Sequence, residues 1–263
     1  MSGRIGAAFE RARQEGRPAL IPYVTAGDPD LVTTRAIVGA LRRAGADVVE
    51  IGVPFSDPIA DGPVNQRAAE RALRQGVGLR SVLGLIADLK RDDAPPLVLF
   101  TYYNPIHRMG IGTFARQAAE AGVDGVLVTD LPPEEAAELS VALRAIGIDL
   151  IFLLSPTSTR ERVDLVLRQG RGFLYFISRT GVTGARQDLP PELEAQVRAA
   201  RAASSLPVAV GFGISRPEQV RQVSTFADGV VVGSALVHLV EEAGAARDLP
   251  GRVEAFCRAL MGR

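Results

Sequence analysis

Glu50 lies inside an otherwise apolar run, Val48-Val49-Glu50-Ile51-Gly52-Val53. In an extended chain, alternate side chains share a face. Val49, Ile51 and Val53 form one set, and Val48, Glu50 and Gly52 the other. The branched trio suits contact with helices, which leaves Glu50 facing inward. A buried carboxyl without a partner responds with a raised pKa, the condition an acid–base catalyst needs near neutral pH. The alternative is a structural glutamate paired to a buried arginine or a backbone amide. Eleven residues on, Asp61 lies near the end of P-F-S-D-P-I-A-D-G-P, residues 54–63. Three prolines and a glycine make this a loop. Asp57 and Asp61 are each open to a second reading as turn-formers or helix caps, the commoner role of a loop aspartate.

Two glycine-containing turns, Gly211-Phe212-Gly213-Ile214-Ser215 and Gly233-Ser234, follow the last two apolar runs. Amides freed by glycine at a helix N-terminus bind phosphate without lysine or arginine. Tight turns need glycine for other reasons too, so the pair carries more weight than either turn. Residues 178–186, S-R-T-G-V-T-G-A-R, suit a mobile lid or an ordinary surface loop.

Scarcities narrow the chemistry. Lys90 is the only lysine among 30 basic residues, and it ends a polar helical stretch that points it to solvent. A Schiff-base aldolase needs a lysine at a strand end. The two histidines, His107 and His238, are far apart in sequence, which argues against a metal cluster or a nucleophile triad. Acid–base chemistry by carboxylates remains. The 30 acidic side chains balance the basic ones, so nothing favours nucleic acid or an anionic membrane. One cysteine, Cys257, excludes an internal disulfide. With no apolar signal core and no run near the roughly 18 residues of a membrane span, a soluble, cytoplasmic protein is expected.

Short runs rich in Val, Ile and Leu must position these groups. They cover residues 19–24, 48–53, 97–102, 125–129, 150–154, 173–177, 208–211 and 229–232. Helical patterns separate them at 31–44, 79–90, 114–121, 134–145, 160–168, 193–203 and 217–223. Strands apolar on both faces and joined by helices form a parallel sheet covered by helices. Eight such units fit a closed (β/α)8 TIM barrel of about 250 residues, whose active site lies at the strands' C-terminal ends. A doubly wound open sheet is the runner-up, but the glycine-rich turns follow the last strands rather than the first. Asp28-Pro29 and residues 130–133 suit helix starts, and Gly45, Gly122 and Gly147 suit helix ends. The phrases A-G-A-D at 44–47 and A-G-V-D at 121–124 echo each other as a repeated unit. No Ser/Gly/Pro-rich linker divides the chain, so residues 1–263 read as one domain with an extra N-terminal helix near residues 5–14.

The loop at 54–63, with Glu50 just before it, resembles the signature of tryptophan synthase alpha chains. So do P-Y-V-T-A-G-D-P at 22–29, Y-Y-N-P-I at 102–106, residues 178–184, residues 211–215 and Gly233-Ser234. The matches keep the family's order and span nearly the whole chain.

The resemblance implies a lyase that performs retro-aldol cleavage of indole-3-glycerol phosphate to indole and glyceraldehyde 3-phosphate. It implies Glu50 as the general acid–base and Asp61 as the catalytic, indole-binding aspartate. Tyr23, Phe100, Tyr102, Leu127, Thr129, Leu153, Tyr175 and Phe212 would surround the substrate; Tyr175 shares the inward parity of Phe173 and Ile177. Gly184, Gly213, Gly233 and Ser234 would hold the phosphate, and Thr183 would close onto Asp61. The family also implies an alpha2beta2 complex with a beta subunit, gripped near Asp57, Pro58, Asn104, Pro105 and Pro132. It implies no metal and no cofactor in this chain, with pyridoxal phosphate confined to the beta chain. Two other readings stay open: a stand-alone lyase releasing free indole, and a catalytically silent barrel. The second would be marked by loss of Glu50 or Asp61, and both are present.

Overall fold

The computed structural model describes residues 3–177, 192–211 and 213–263. Among these, the strands are β1 Ala19–Thr25, β2 Val49–Gly52, β3 Leu97–Thr101, β4 Gly125–Val128, β5 Asp149–Ile151, β6 Leu153–Leu154, β7 Leu174–Ile177, β8 Val208–Gly211 and β9 Gly229–Val232. All pairings are parallel, in the order β5-β4-β3-β2-β1-β9-β8-β7-β6. Only Phe152 separates β5 from β6. One strand therefore bonds β4 with its first half and β7 with its second, which closes the sheet into the expected barrel.

The two faces of each strand separate into two cores. Val49, Ile51 and Val53 join the outer core between strands and helices, as the parity of the sequence requires. Val48, Val98, Leu127, Ile151, Phe173, Tyr175 and Val231 join the inner core. Helix α1 (Arg4–Gln14) plugs the N-terminal end of the barrel. Its apolar stripe, Ile5, Ala8, Phe9 and Ala12, recurs at helical spacing and belongs to the inner core. Phe9 packs on Phe173 with ring centroids 5.4 Å apart.

The echo between 44–47 and 121–124 has a physical basis. Asp47 accepts the Leu20 amide at 2.9 Å, and Asp124 accepts the Leu97 amide at 2.8 Å. Each aspartate ties the start of its own strand to the start of the preceding one. Asp228 does the same for Val208 at 2.8 Å, without the preceding glycine that makes the other two legible. Gly45, Gly122 and Gly147 have φ of 84°, 82° and 78°, the left-handed helix ends expected of them.

Several expectations change. Lys90 does not point to solvent: its ammonium lies 3.1 Å from Asp124, and its stem packs over Gly122. The helix after β1, α2 (Leu31–Arg43), is capped by Asp30, which accepts the Thr33 amide at 2.7 Å. Asp28 is instead an ion-pair partner. The helix expected from residue 134 begins later, as α7 (Ala137–Ala145), after a turn closed by Glu135 on Pro132. Helices α3 (Pro63–Arg74) and α5 (Tyr103–Met109), and the two after β9, α11 (Ser234–Ala243) and α12 (Leu249–Leu260), are additions to the expected set. The buried stripe of α3 is mostly alanine, a weak apolar signal, and α5 carries Pro105 in its first turn, where proline is tolerated.

Helix α3 is pinned beside the barrel mouth by ions. Arg71 forks onto both oxygens of Asp28 at 2.8 Å and reaches Glu241 of α11 (Ser234–Ala243) at 2.7 Å. Arg67 also forks onto Glu241, and its hydrogen bonds lead in holding that carboxyl down at about 2. The Asp28 side chain is only 3% exposed, so losing its partner strands a buried charge. Arg71→Ala is expected to cost about 2–3 kcal/mol in urea unfolding at pH 7. A loss below about half a kcal/mol would mean that the network does not pin α3.

Candidate active site

The inward side chains near the C-terminal ends of the strands enclose a cavity. Tyr23, Glu50, Phe100, Thr129, Leu153 and Tyr175 line it from the strands and their ends. Ala60, Asp61 and Asn65 enter from the loop after β2 and the start of α3, and Gly213, Gly233 and Ser234 from the two turns. The cavity volume is about 50 Å³. A larger cleft of about 880 Å³ lies at the other end of the barrel, beside α1. Neither Glu50 nor Asp61 reaches it.

Glu50 occupies the middle of β2, in register with Tyr23 on one side and Val98 on the other. It is 1% exposed, and its Oε1 has no partner among the described residues. Burial pushes its carboxyl up to about 8. Among the described residues no buried arginine accompanies it, which favours an acid protonated at neutral pH over the ion-pair alternative. Two phenols adjoin it. Burial first, and then the neighbouring carboxylates, keeps Tyr23 and Tyr175 well above the usual tyrosine range, so both stay neutral. Glycine makes room for each ring: a Cβ at Gly52 would collide with the Tyr23 hydroxyl, and one at Gly211 with the Tyr175 hydroxyl.

Asp61 is held by Tyr102. The phenol donates to Asp61 Oδ2 at 3.0 Å and accepts the Ala60 amide at 3.0 Å. Phe55 stacks on the same ring with centroids 5.0 Å apart. Thus Tyr102, expected as a substrate wall, holds the loop that carries Asp61 and is not among the residues that line the cavity. Burial raises the Asp61 carboxyl above the usual aspartate range, and hydrogen bonds from Tyr102 and Asn65 partly offset this. Leu127 is fully buried in the inner core and also does not line the cavity. Thr183, Gly184 and Phe212, together with the segment 178–186, lie outside the described residues.

The phosphate expectation has local support. Gly213 has φ of 90°, and Gln219 holds its turn, donating to the Gly213 carbonyl at 3.1 Å and accepting the Ser215 amide at 2.9 Å. Gly233 precedes α11 without a side-chain cap among the described residues; the Leu236 amide closes on the Gly233 carbonyl, which leaves the Ser234 and Ala235 amides as the ones an anion could take. Sequence reasoning missed Gln219, Asn65 and Ala60. Glutamine and asparagine inside helices carry no periodic signal, and their roles depend on neighbours distant in sequence.

On the rim, Asp57 and Asn104 are exposed, and Pro58, Pro105 and Pro132 are half-buried. Pro105 borders a groove of about 420 Å³ with Val53 and Pro54. Ile59, next to Pro58, is 80% exposed. Among the described residues, no helix is long and apolar enough to cross a membrane, and no group of three or more His, Cys, Asp or Glu could hold a metal.

A closed parallel barrel with a buried and a half-buried carboxyl at its mouth and a helix start beside them defines a (β/α)8-barrel enzyme of the acid–base kind. The family model for the tryptophan synthase alpha chain matches residues 9–261. A tryptophan synthase alpha chain from Geobacter sp. (strain M21) is 54% identical, covering 91% of this chain and 90% of its own. Another, from Geobacter sulfurreducens, is 50% identical over 98% and 97%. Among solved structures, the alpha subunit from Legionella pneumophila str. Paris superposes with a TM-score of 0.91 at 41% identity, covering 99% and 97%. A chain from a structure of the mutually activated tryptophan synthase a2b2 complex of Pyrococcus furiosus superposes with a TM-score of 0.87 at 41% identity, covering 93% and 98%. The chain belongs to the tryptophan synthase alpha chain family. It is a carbon–carbon lyase that cleaves indole-3-glycerol phosphate to indole and glyceraldehyde 3-phosphate.

Proposed function

We propose that Glu50 and Asp61 carry the cleavage by dividing protons and charge between them. The supporting observation is the carboxyl of Glu50, buried, raised to about 8 and unpaired at Oε1, in one cavity with Asp61. Glu50 starts protonated and gives its proton to indole C3. The ring becomes cationic, and the Asp61 carboxylate stabilises the charge at the ring N–H. Glu50, now a carboxylate, accepts the proton of the hydroxyl on the adjoining glycerol carbon. The carbon–carbon bond breaks, its electron pair restores the aromatic ring, and the hydroxyl carbon becomes the aldehyde. Glu50 ends protonated, so the cycle balances without metal or cofactor. Tyr23, Phe100 and Leu153 supply apolar walls, and amides near Gly213, Gly233 and Ser234 receive the phosphate.

The chain acts as a single domain over residues 1–263, in the cytoplasm, as the alpha half of an alpha2beta2 complex. Pyridoxal phosphate belongs to the beta chain, which consumes the indole. A partner gripping Asp57 and Pro58 acts a few residues from Asp61, and exposed Ile59 extends that surface. Cleavage by the isolated chain is expected to be slow and to accelerate when a tryptophan synthase beta chain is titrated in. Asp57→Ala should reduce that acceleration more than it reduces basal turnover. Equal acceleration of both proteins would remove Asp57 from the coupling. A fast isolated chain, indifferent to the beta chain, would favour a stand-alone lyase.

A further inference from the structure

Asn65 is the third residue of α3, is 9% exposed, and lines the same cavity as Glu50 and Asp61. Its side-chain amide adjoins Asp61 in that cavity and lowers the pKa of the carboxyl, against the larger effect of burial. An ionised carboxylate only accepts, so the amide nitrogen of Asn65 is the donor. That orientation leaves Oδ1 as an acceptor, and Oδ1 is buried with no partner among the described residues. An unpaired buried carbonyl is a liability to the fold, which an apolar residue of similar size would not carry. An unpaired Oδ1 facing the cavity makes sense if a substrate supplies the donor.

The groups around Asp61 are uncharged or acidic. Tyr23 faces it from β1, Tyr102 from the end of β3 and Asn65 from α3. Glu50 from β2 and Tyr175 from β7 share the cavity, and no arginine, lysine or histidine lines it among the described residues. Among the described residues, the Asp61 charge is therefore supported by neutral polar groups rather than by a cation. Removing one should weaken the ionised form.

We propose that Asn65 is a positioning residue for Asp61 and, through its unpaired carbonyl, a second acceptor for the indole ring N–H. The inference rests on the assignment of Asp61 to that N–H. Protonation at C3 makes the N–H more acidic, so a neutral amide acceptor beside the carboxylate gains strength as the transition state forms, without taking the proton.

The test uses the full-length chain carrying Asn65→Leu, which removes donor and acceptor at nearly constant volume. The acid limb of kcat/KM is expected to move up by about one pH unit, because ionised Asp61 has lost a donor. Turnover at neutral pH should fall about tenfold, with a smaller change in KM. As competitive inhibitors, indole and indene share a shape, but only indole has the N–H. The preference for indole should shrink several-fold in the variant. A folded Asn65→Leu protein with lower turnover and an unmoved acid limb would reduce Asn65 to a structural role and overturn the proposal. A shifted limb with an unchanged indole preference would overturn the acceptor role. If Asn65→Leu does not fold, Asn65→Asp puts a second carboxyl beside Asp61 and should raise the acid limb further; an unmoved limb there is equally decisive. Asp61→Asn separates the two readings: unimpaired turnover in that variant would sink the Asp61 assignment itself.

Discussion

Glu50→Gln is expected to remove nearly all cleavage while making the protein more stable. Loss of a general acid–base group costs about 10²–10⁴-fold in turnover. The stability gain follows from the same carboxyl. In the unfolded chain it ionises near 4.5, and in the folded chain near 8. Below 4.5 both states hold the proton, and the folded protein incurs no penalty there. Between 4.5 and 8 the unfolded chain releases its proton while the folded chain keeps it, so stability falls as pH rises. Glutamine has no proton to lose. The variant should therefore match wild type near pH 4 and exceed it by roughly 3 kcal/mol near pH 7 in urea unfolding. A folded variant with near-normal turnover would refute the catalytic assignment. An active-site loss with no pH-dependent stability gain would mean that Glu50 is ionised in the native state.

Asp61→Asn is expected to lower kcat by about 10²-fold or more while changing KM far less. The charge it opposes develops at the ring nitrogen only as C3 is protonated, so its contribution is concentrated in the transition state. Because burial raises the Asp61 carboxyl, wild-type kcat/KM should fall on the acid side at a pH above the ordinary aspartate range. It should fall again on the alkaline side near 8, where Glu50 loses the proton it donates. A large rise in KM with kcat unchanged would make Asp61 a simple binding residue.

The barrel was legible because strand parity carries the information. The alternation in 48–53 places Glu50 inside and its branched neighbours outside, and the two cores divide along that line. The carboxyls and the glycine turns were legible because their residue types conflict with their surroundings. Other features depend on contacts between segments far apart in sequence. Tyr102 reads as an inward aromatic, yet its work is a hydrogen bond to a loop 41 positions away. Asn65 looks like an ordinary polar helix residue until the cavity shows its carbonyl unpaired. The sequence points Lys90 to solvent because Asp124, its partner, belongs to a later β/α unit. Helix α3 was missed because alanines make its buried face.

The most direct measurement is turnover of indole-3-glycerol phosphate by the purified chain in excess chelator, with and without a tryptophan synthase beta chain. Indole and glyceraldehyde 3-phosphate should appear in equal amounts, at a rate that chelation leaves unchanged and the beta chain raises. Cleavage that stops on chelation and returns with added metal would contradict an acid–base mechanism carried by Glu50 and Asp61.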